Sequence, residues 1–185
     1  MGHPPGAVCL PSPAYVALAP AIARISADAS WGATPGDLVE LLHRDGPPGP
    51  DQLAAIAWVL TPDRDHVLLV DHRHYGWSCP GGHVEHGEMP GTAAARELAE
   101  ETALVLPPLD TDPVTLTLVD ARGDAGGPPH RHWLLGYRFI ADRDASLVPE
   151  RDPLGWHPAS SLPPDVVADI PPLWEIVRRL PVPSR

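Results

Sequence analysis

Glu97, Glu100 and Glu101 form the sharpest chemical pattern in the chain, set in the segment ARELAEETAL. On a helical wheel at about 100° per residue, Glu101 falls about 40° from Glu97 and Glu100 about 60° to the other side. The three carboxylates then share an arc of roughly 100°. Gly91, Ala95, Leu98 and Thr102 occupy the opposite region, small or apolar. A helix of this kind is expected to pack on a sheet through that side and to point its carboxylates outward. Like charges at these spacings oppose helix formation by roughly a few tenths of a kcal/mol per pair, so a compensating cation suits them. Carboxylate oxygens favour Mg²⁺ or Mn²⁺, ions that also bind phosphate oxygens. Taken alone, an ExxEE run reads as a solvated acidic face.

What precedes the run changes that reading. Pro80 is followed by Gly81-Gly82, a flexible turn that can bring backbone groups close to a ligand. Glu88 and Arg96 then lead into the acidic run. The stretch matches the pattern G-x5-E-x7-R-E-U-x-E-E-x-G-U, with U a bulky apolar residue, at Gly82, Glu88, Arg96, Glu97, Leu98, Glu100, Glu101 and Leu104. On these residues the chain resembles the Nudix (MutT-like) hydrolase family. It departs at Ala103, where the pattern has a glycine suited to ending the helix in a left-handed conformation. The departure bears on the helix end and leaves the carboxylates in place.

The resemblance implies an α/β/α sandwich with a mixed sheet over about residues 51–180. It implies that Glu97, Glu100 and Glu101, with the carbonyl of Gly82, bind Mg²⁺ or Mn²⁺. Arg96 would hold the carboxylates in position, paired with Glu88 in a structural salt bridge. The implied reaction is water attack on one phosphorus of a diphosphate in a nucleotide-like small molecule, assisted by metal. Glu97 and Glu100 are candidates for the general base, as are Glu150, Asp142 and Asp144 downstream, each of which also reads as surface charge. Substrate contacts are sought at Trp77, Arg73, His83 and Trp133, with Tyr75 and Arg131 as further candidates. Against each stands a plainer reading: a core tryptophan, a solvated arginine, an ordinary loop histidine. The segment 155–163, GWHPASSLP, resembles a Trp-containing strand found late in many family members.

The chain has ten histidines, which raises the question of zinc. The neighbours His72/His74, His83/His86 and His130/His132 lack the H-E-x-x-H spacing, and Cys9 and Cys79 stand far apart.

Composition narrows the classes further. A net charge of −11 over 185 residues repels polyanions, so a nucleic-acid duplex is not an expected partner. Isolated cysteines suggest reduced thiols, no secretory leader pattern opens the chain, and no apolar run reaches a membrane span. A cytoplasmic protein is expected. Many of the 26 prolines mark ends and connections.

A scaffold of strands and helices is expected to hold the acidic run in place. Residues 1–50 form an N-terminal extension, partly helical, with helical segments at 15–28 and from Pro35, closed by the break RDGPPGP. The extension is expected to cap the substrate pocket or to form a homodimer contact. Residues 51–185 form the catalytic domain. Strands are predicted at Ala54–Leu60, His66–Val70, Val114–Ala121, Trp133–Ala141 and Leu154–His157. A loop covers 71–90, a helix runs from Thr92 to about Ala103, and a last helix spans Asp165–Leu180, interrupted by Pro171 and Pro172. Strands and helices mix, giving an α/β fold. Two further functions compete: a Nudix-fold regulator that binds a nucleotide or nucleotide sugar without turnover, and an isomerase or transferase on the same fold, whose cysteine motif is not evident.

Overall fold

Strand β1 (Gln52–Leu60) is apolar on both faces, and that is what makes it the centre of the sheet. In the computed structural model, which describes residues 52–73, 75–85, 87–121 and 130–183, β1 is buried from Ala54 onward. On one side it pairs in parallel with β6 (His130–Ile140), in register from Gln52↔His132 to Leu60↔Ile140. On the other side it pairs antiparallel with two shorter partners. Its far end meets β2 (His66–His72) at Leu60↔Val67. Its near end meets β4 (Gly81–His83), with Ala54↔His83 and Ala55↔Gly82. The sheet is completed by β3 (Gly76–Ser78) and β7 (Leu154–Pro158) on β2, and by β5 (Thr115–Ala121) on β6. One parallel pair among antiparallel ones makes it a mixed sheet.

Alternation along β1 sends its side chains to two separate cores. Ala55, Ala57 and Val59 join Leu68, Leu135, Tyr137 and Phe139 beneath helix α1 (Pro90–Thr102). Ile56, Trp58 and Leu60 join Val67 and Leu69 beneath helix α2 (Ile170–Val177). A helix therefore covers each face, the α/β/α sandwich expected from the resemblance. Trp58 carries a polar atom into the second core and satisfies it, donating from Nε1 to Thr115 Oγ1 at 2.9 Å. This bond crosses Gly136, where any Cβ would collide with both partners.

Three expectations need correcting. The 71–90 segment is not all loop: β3 and β4 lie within it, three residues each, held by pairing to β2 and β1. A Cβ at Gly81 would fall 2.5 Å from the Ala55 carbonyl oxygen, so glycine is what lets β4 lie there. The final helix starts only at Ile170, and Pro171 and Pro172 sit in its first turn. Backbone N–H groups there have no intrahelical partner, so proline starts this helix without interrupting it. The third correction concerns α1 and belongs to the site. The predicted helical segments within residues 1–50 lie outside the described residues, as does the loop between β5 and β6. Among the described residues no helix is long and apolar enough to cross a membrane.

Candidate functional site

Helix α1 opens on Pro90 at its first turn, preceded by Met89 in an extended conformation, and ends at Ala103. Ala103 adopts the left-handed conformation (φ 65°, ψ 10°), and its N–H bonds to the Ala99 carbonyl. The chain thus keeps the helix ending that a glycine would favour and accepts the strain of a Cβ there.

The face that α1 buries is set by Ala93, Ala94, Leu98 and Thr102. On the wheel these span roughly −40° to 140° from Glu97, so Glu101, at about 40°, points into the protein. The expectation that all three carboxylates point outward is therefore wrong. Ala93 and Ala94 pull the buried arc round, because small side chains allow the helix to sit close on β1 and β4. Glu100 is 53% exposed, while Glu97 is only 17% exposed. Glu101 Oε2 accepts a hydrogen bond from the Gly81 N–H at 3.0 Å. Burial pushes its carboxyl pKa up to about 7, an effect opposed by the Gly81 N–H and reinforced by Glu97, Glu150 and Asp152 nearby.

Glu97 lies against Gly82. A Cβ on Gly82 would sit within 2.5 Å of the Glu97 carboxyl carbon, so only the bare backbone of β4 leaves room for this carboxylate. Arg96 ties the arrangement together. Its Nε and Nη2 donate to the two oxygens of Glu88 at 3.0 and 3.1 Å, a bidentate pair. Nη2 also donates to the His83 carbonyl at 3.0 Å, and Nη1 to Glu97 at 2.8 Å and Glu100 at 3.3 Å. Glu88 is 13% exposed. Its bonds from Arg96 hold its carboxyl below the usual range, and a further bond from the Glu85 N–H adds to this. The bonds to Glu88, and then those to Glu97, raise the Arg96 pKa further above its ordinary value. One arginine thus clamps the loop after β4 to the helix through backbone and carboxylate alike.

The other sequence candidates are distributed around this centre. Glu150 comes close to α1 through its backbone, its N–H bonding to the Glu101 carbonyl at 3.3 Å. Asp142 and Asp144 stand exposed in the turn after β6, closed by the Ala145 N–H to the Asp142 carbonyl. Trp77 is half-buried on β3 with its ring edge-on to His157, the centroids 4.5 Å apart. Arg73 is 63% exposed and lies 3.7 Å from Asp152. Trp133 is buried at 3% exposure within the core under α1. His83 meets His132 with Nε2 atoms 3.2 Å apart.

Two participants escaped the sequence reading. Gly81 contributes an N–H to Glu101, a role that the glycine pair hinted at only as flexible backbone. Asp152 adds negative charge near Glu101 and comes within 3.9 Å of His72; a lone aspartate in a loop carried no signal of this. Among the described residues no three acidic, histidine or cysteine side chains converge on one point.

The fold and these side chains can be set beside known proteins. No curated protein matches the chain. Among solved structures the chain is similar to a NUDIX-family hydrolase from Clostridium perfringens, with 22% identity and a TM-score of 0.54 over 66% of this chain and 93% of that one. It is also similar to a MutT NUDIX hydrolase from Burkholderia pseudomallei, with 22% identity and a TM-score of 0.52 over 70% of this chain and 99% of that one. These likenesses establish a shared fold. A family model described as the NUDIX domain matches residues 50–179, well over half of the sequence, and the chain belongs to that family.

Proposed function

We propose that this protein is a metal-dependent pyrophosphohydrolase that cleaves a diphosphate linkage in a nucleoside di- or triphosphate or a related nucleotide derivative. The observation that carries the reading is the packing of the Glu97 and Glu101 carboxylates against the bare Gly81-Gly82 backbone, fixed by the Arg96–Glu88 clamp. The hydrolases that share this fold support it. In this reading residues 51–185 form the catalytic domain of a cytoplasmic protein, and residues 1–50 extend it.

The donor set fits an oxygen-seeking divalent cation such as Mg²⁺ or Mn²⁺. Glu97, Glu100, Glu101 and the Gly82 carbonyl, all hard oxygen donors, would hold it once Glu97 and Glu100 turn from Arg96, and Glu101 from the Gly81 N–H, toward a shared cation. Glu101, raised toward neutrality by burial, is a carboxylate whose charged form a cation would favour. When bound, such a cation withdraws charge from the phosphate oxygens and makes phosphorus easier to attack.

The rest is work for the chain's own groups. A carboxylate takes a proton from the attacking water, at Glu97, Glu100 or Glu150. The water oxygen forms a bond to phosphorus as the bond to the bridging oxygen breaks, and the phosphate-bearing group leaves with the electron pair. Gly81 holds Glu101 through its N–H, and Arg96 keeps Glu97 and Glu100 from drifting apart. Both fix geometry ahead of the reaction, which is where enzymes gain much of their rate.

The test is a set of nucleotides, nucleotide sugars and dinucleoside polyphosphates incubated with Mg²⁺ or Mn²⁺, with products identified. Turnover should vanish in EDTA and return with Mg²⁺. Glu100→Gln, at an exposed position, should abolish turnover with stability unchanged to within about 0.5 kcal/mol. Full turnover in that variant removes the metal assignment. Ligand binding with no product under any condition leaves a binding regulator instead.

A further inference from the structure

The sheet brings together two histidines that lie far apart in sequence, on the face away from α1. His83 is paired with Ala54 across β1, and His132 is paired with Gln52 from the other side. Paired residues share a face, and Gln52, Ala54 and Ile56 all point toward the α2 side, where Ile56 is core. Both imidazoles therefore rise on the same face from strands that flank β1. Between them stands Ala54, whose methyl group is small enough for the rings to reach across it. Their Nε2 atoms come within 3.2 Å, with the rings nearly perpendicular at 89°.

We infer that His83 and His132 form a binding site for a borderline divalent transition metal, Zn²⁺, Ni²⁺ or Cu²⁺, separate from the oxygen-donor cluster on the other face. Metal–nitrogen bonds of about 2.0–2.1 Å at a tetrahedral angle place two ligand nitrogens roughly 3.3–3.4 Å apart. The observed 3.2 Å is within a few tenths of an ångström of that separation. Imidazole nitrogen suits these ions, whereas Mg²⁺ keeps to oxygen, so the two faces select different metals. Two protein ligands leave the remaining positions to water or an anionic oxygen.

The histidines are also held in place before any ion arrives. The His83 carbonyl accepts from Arg96, and the next residue, Val84, donates its N–H to the Leu53 carbonyl at 3.0 Å. His132 is fixed between Gln52 of β1 and Val119 of β5. A site on paired strands needs little reorganisation to bind.

The experiment uses the untagged full chain in excess Mg²⁺, titrated with Zn²⁺ against a chromophoric chelator, with Cu²⁺ electron paramagnetic resonance as a second readout. One Zn²⁺ site is expected that excess Mg²⁺ does not displace, and the Cu²⁺ spectrum should carry coupling to two imidazole nitrogens. His132→Gln and His83→Gln should each weaken Zn²⁺ binding by roughly tenfold or more, the range seen when metal sites lose supporting groups. The double variant should bind no more weakly than the weaker single variant, since either change already dismantles a shared site. His72→Gln should bind as the parent does. Equal affinity in the parent and the folded His132→Gln protein overturns the assignment, as does displacement of Zn²⁺ by Mg²⁺, and the pair is then a plain hydrogen bond.

Discussion

Adding one methyl group at Gly82 should separate the role of Glu97 from the integrity of the fold. In Gly82→Ala the new Cβ would lie 2.5 Å from the Glu97 carboxyl carbon and 2.8 Å from one of its oxygens, and closer still to the other. What it meets is the far end of a flexible side chain, so Glu97 swings aside and β4 stays where it is. Glu97 then gives up its hydrogen bond from Arg96 at 2.8 Å. A charge-assisted bond of this kind contributes about 1.5–3 kcal/mol. Gly82 is not among the glycines with positive φ, so alanine fits its backbone. The stiffer unfolded chain returns about 0.4–1 kcal/mol. The net loss is about 0.5–2.5 kcal/mol, a fall of roughly 1–10 °C in Tm for a domain of this size. Turnover should fall much further, by about a hundredfold or more, because a carboxylate moved by about 1 Å no longer meets its partner in the reaction. Thermal melts and kcat with saturating Mg²⁺ read the two effects separately. Gly155→Ala is the control: its Cβ would find only His157 Nε2 at 3.8 Å, an ordinary contact. A Gly82→Ala protein with parental turnover would refute the placement of Glu97 in the reacting centre.

Three further outcomes follow from the same geometry. Ala103→Gly relieves a left-handed alanine and should stabilise the protein by roughly 0.5–1 kcal/mol in chemical denaturation, with turnover unchanged. The depressed Glu88 carboxyl contributes stability that is fully present above the ordinary glutamate value of about 4.3 and is lost as pH falls through its lower folded value. Glu88→Gln should therefore cost about 1.5–3 kcal/mol at neutral pH and leave less acid-dependent unfolding below that value, read by urea melts across pH. Cys79 is buried and its thiol is pushed well above the ordinary range, so a thiol reagent should modify it only as the domain unfolds; rapid labelling of native Cys79 would contradict its packing.

Much of the scaffold was legible in the sequence because burial on both faces leaves long apolar runs. AAIAWVL and HVLLV announce β1 and β2, and the turn between them uses Arg64 at positive φ. The short strands β3 and β4 left no such trace. Gly76-Trp77-Ser78 and Gly81-Gly82-His83 are too short and too rich in glycine to announce strands, Trp77 apart, and it is pairing with β2 and β1 that makes them so. The acidic triad was legible as a cluster but not in its direction. Alanine reads equally as exposed or buried, and Ala93 and Ala94 decided which way α1 faces. Glu101 went inward with them. The meeting of His83 and His132 depends on strand order, which local periodicity cannot supply.

Arg96 is where scaffold and proposed chemistry meet, and its five donors divide between them. Nε and Nη2 serve Glu88 and the His83 carbonyl, partners that hold the loop after β4 against α1. Nη1 faces Glu97 and Glu100, carboxylates of the proposed metal site. A cation arriving among those carboxylates competes with Nη1 alone and leaves the other donors engaged. The guanidinium can therefore give up its contacts to Glu97 and Glu100 without loosening the loop. A lysine could not make this division, since a single ammonium lacks the planar fork that grips Glu88 with two parallel bonds while reaching elsewhere with a third. The arginine beside the acidic run thus acts first on structure, and only through its Nη1 on chemistry.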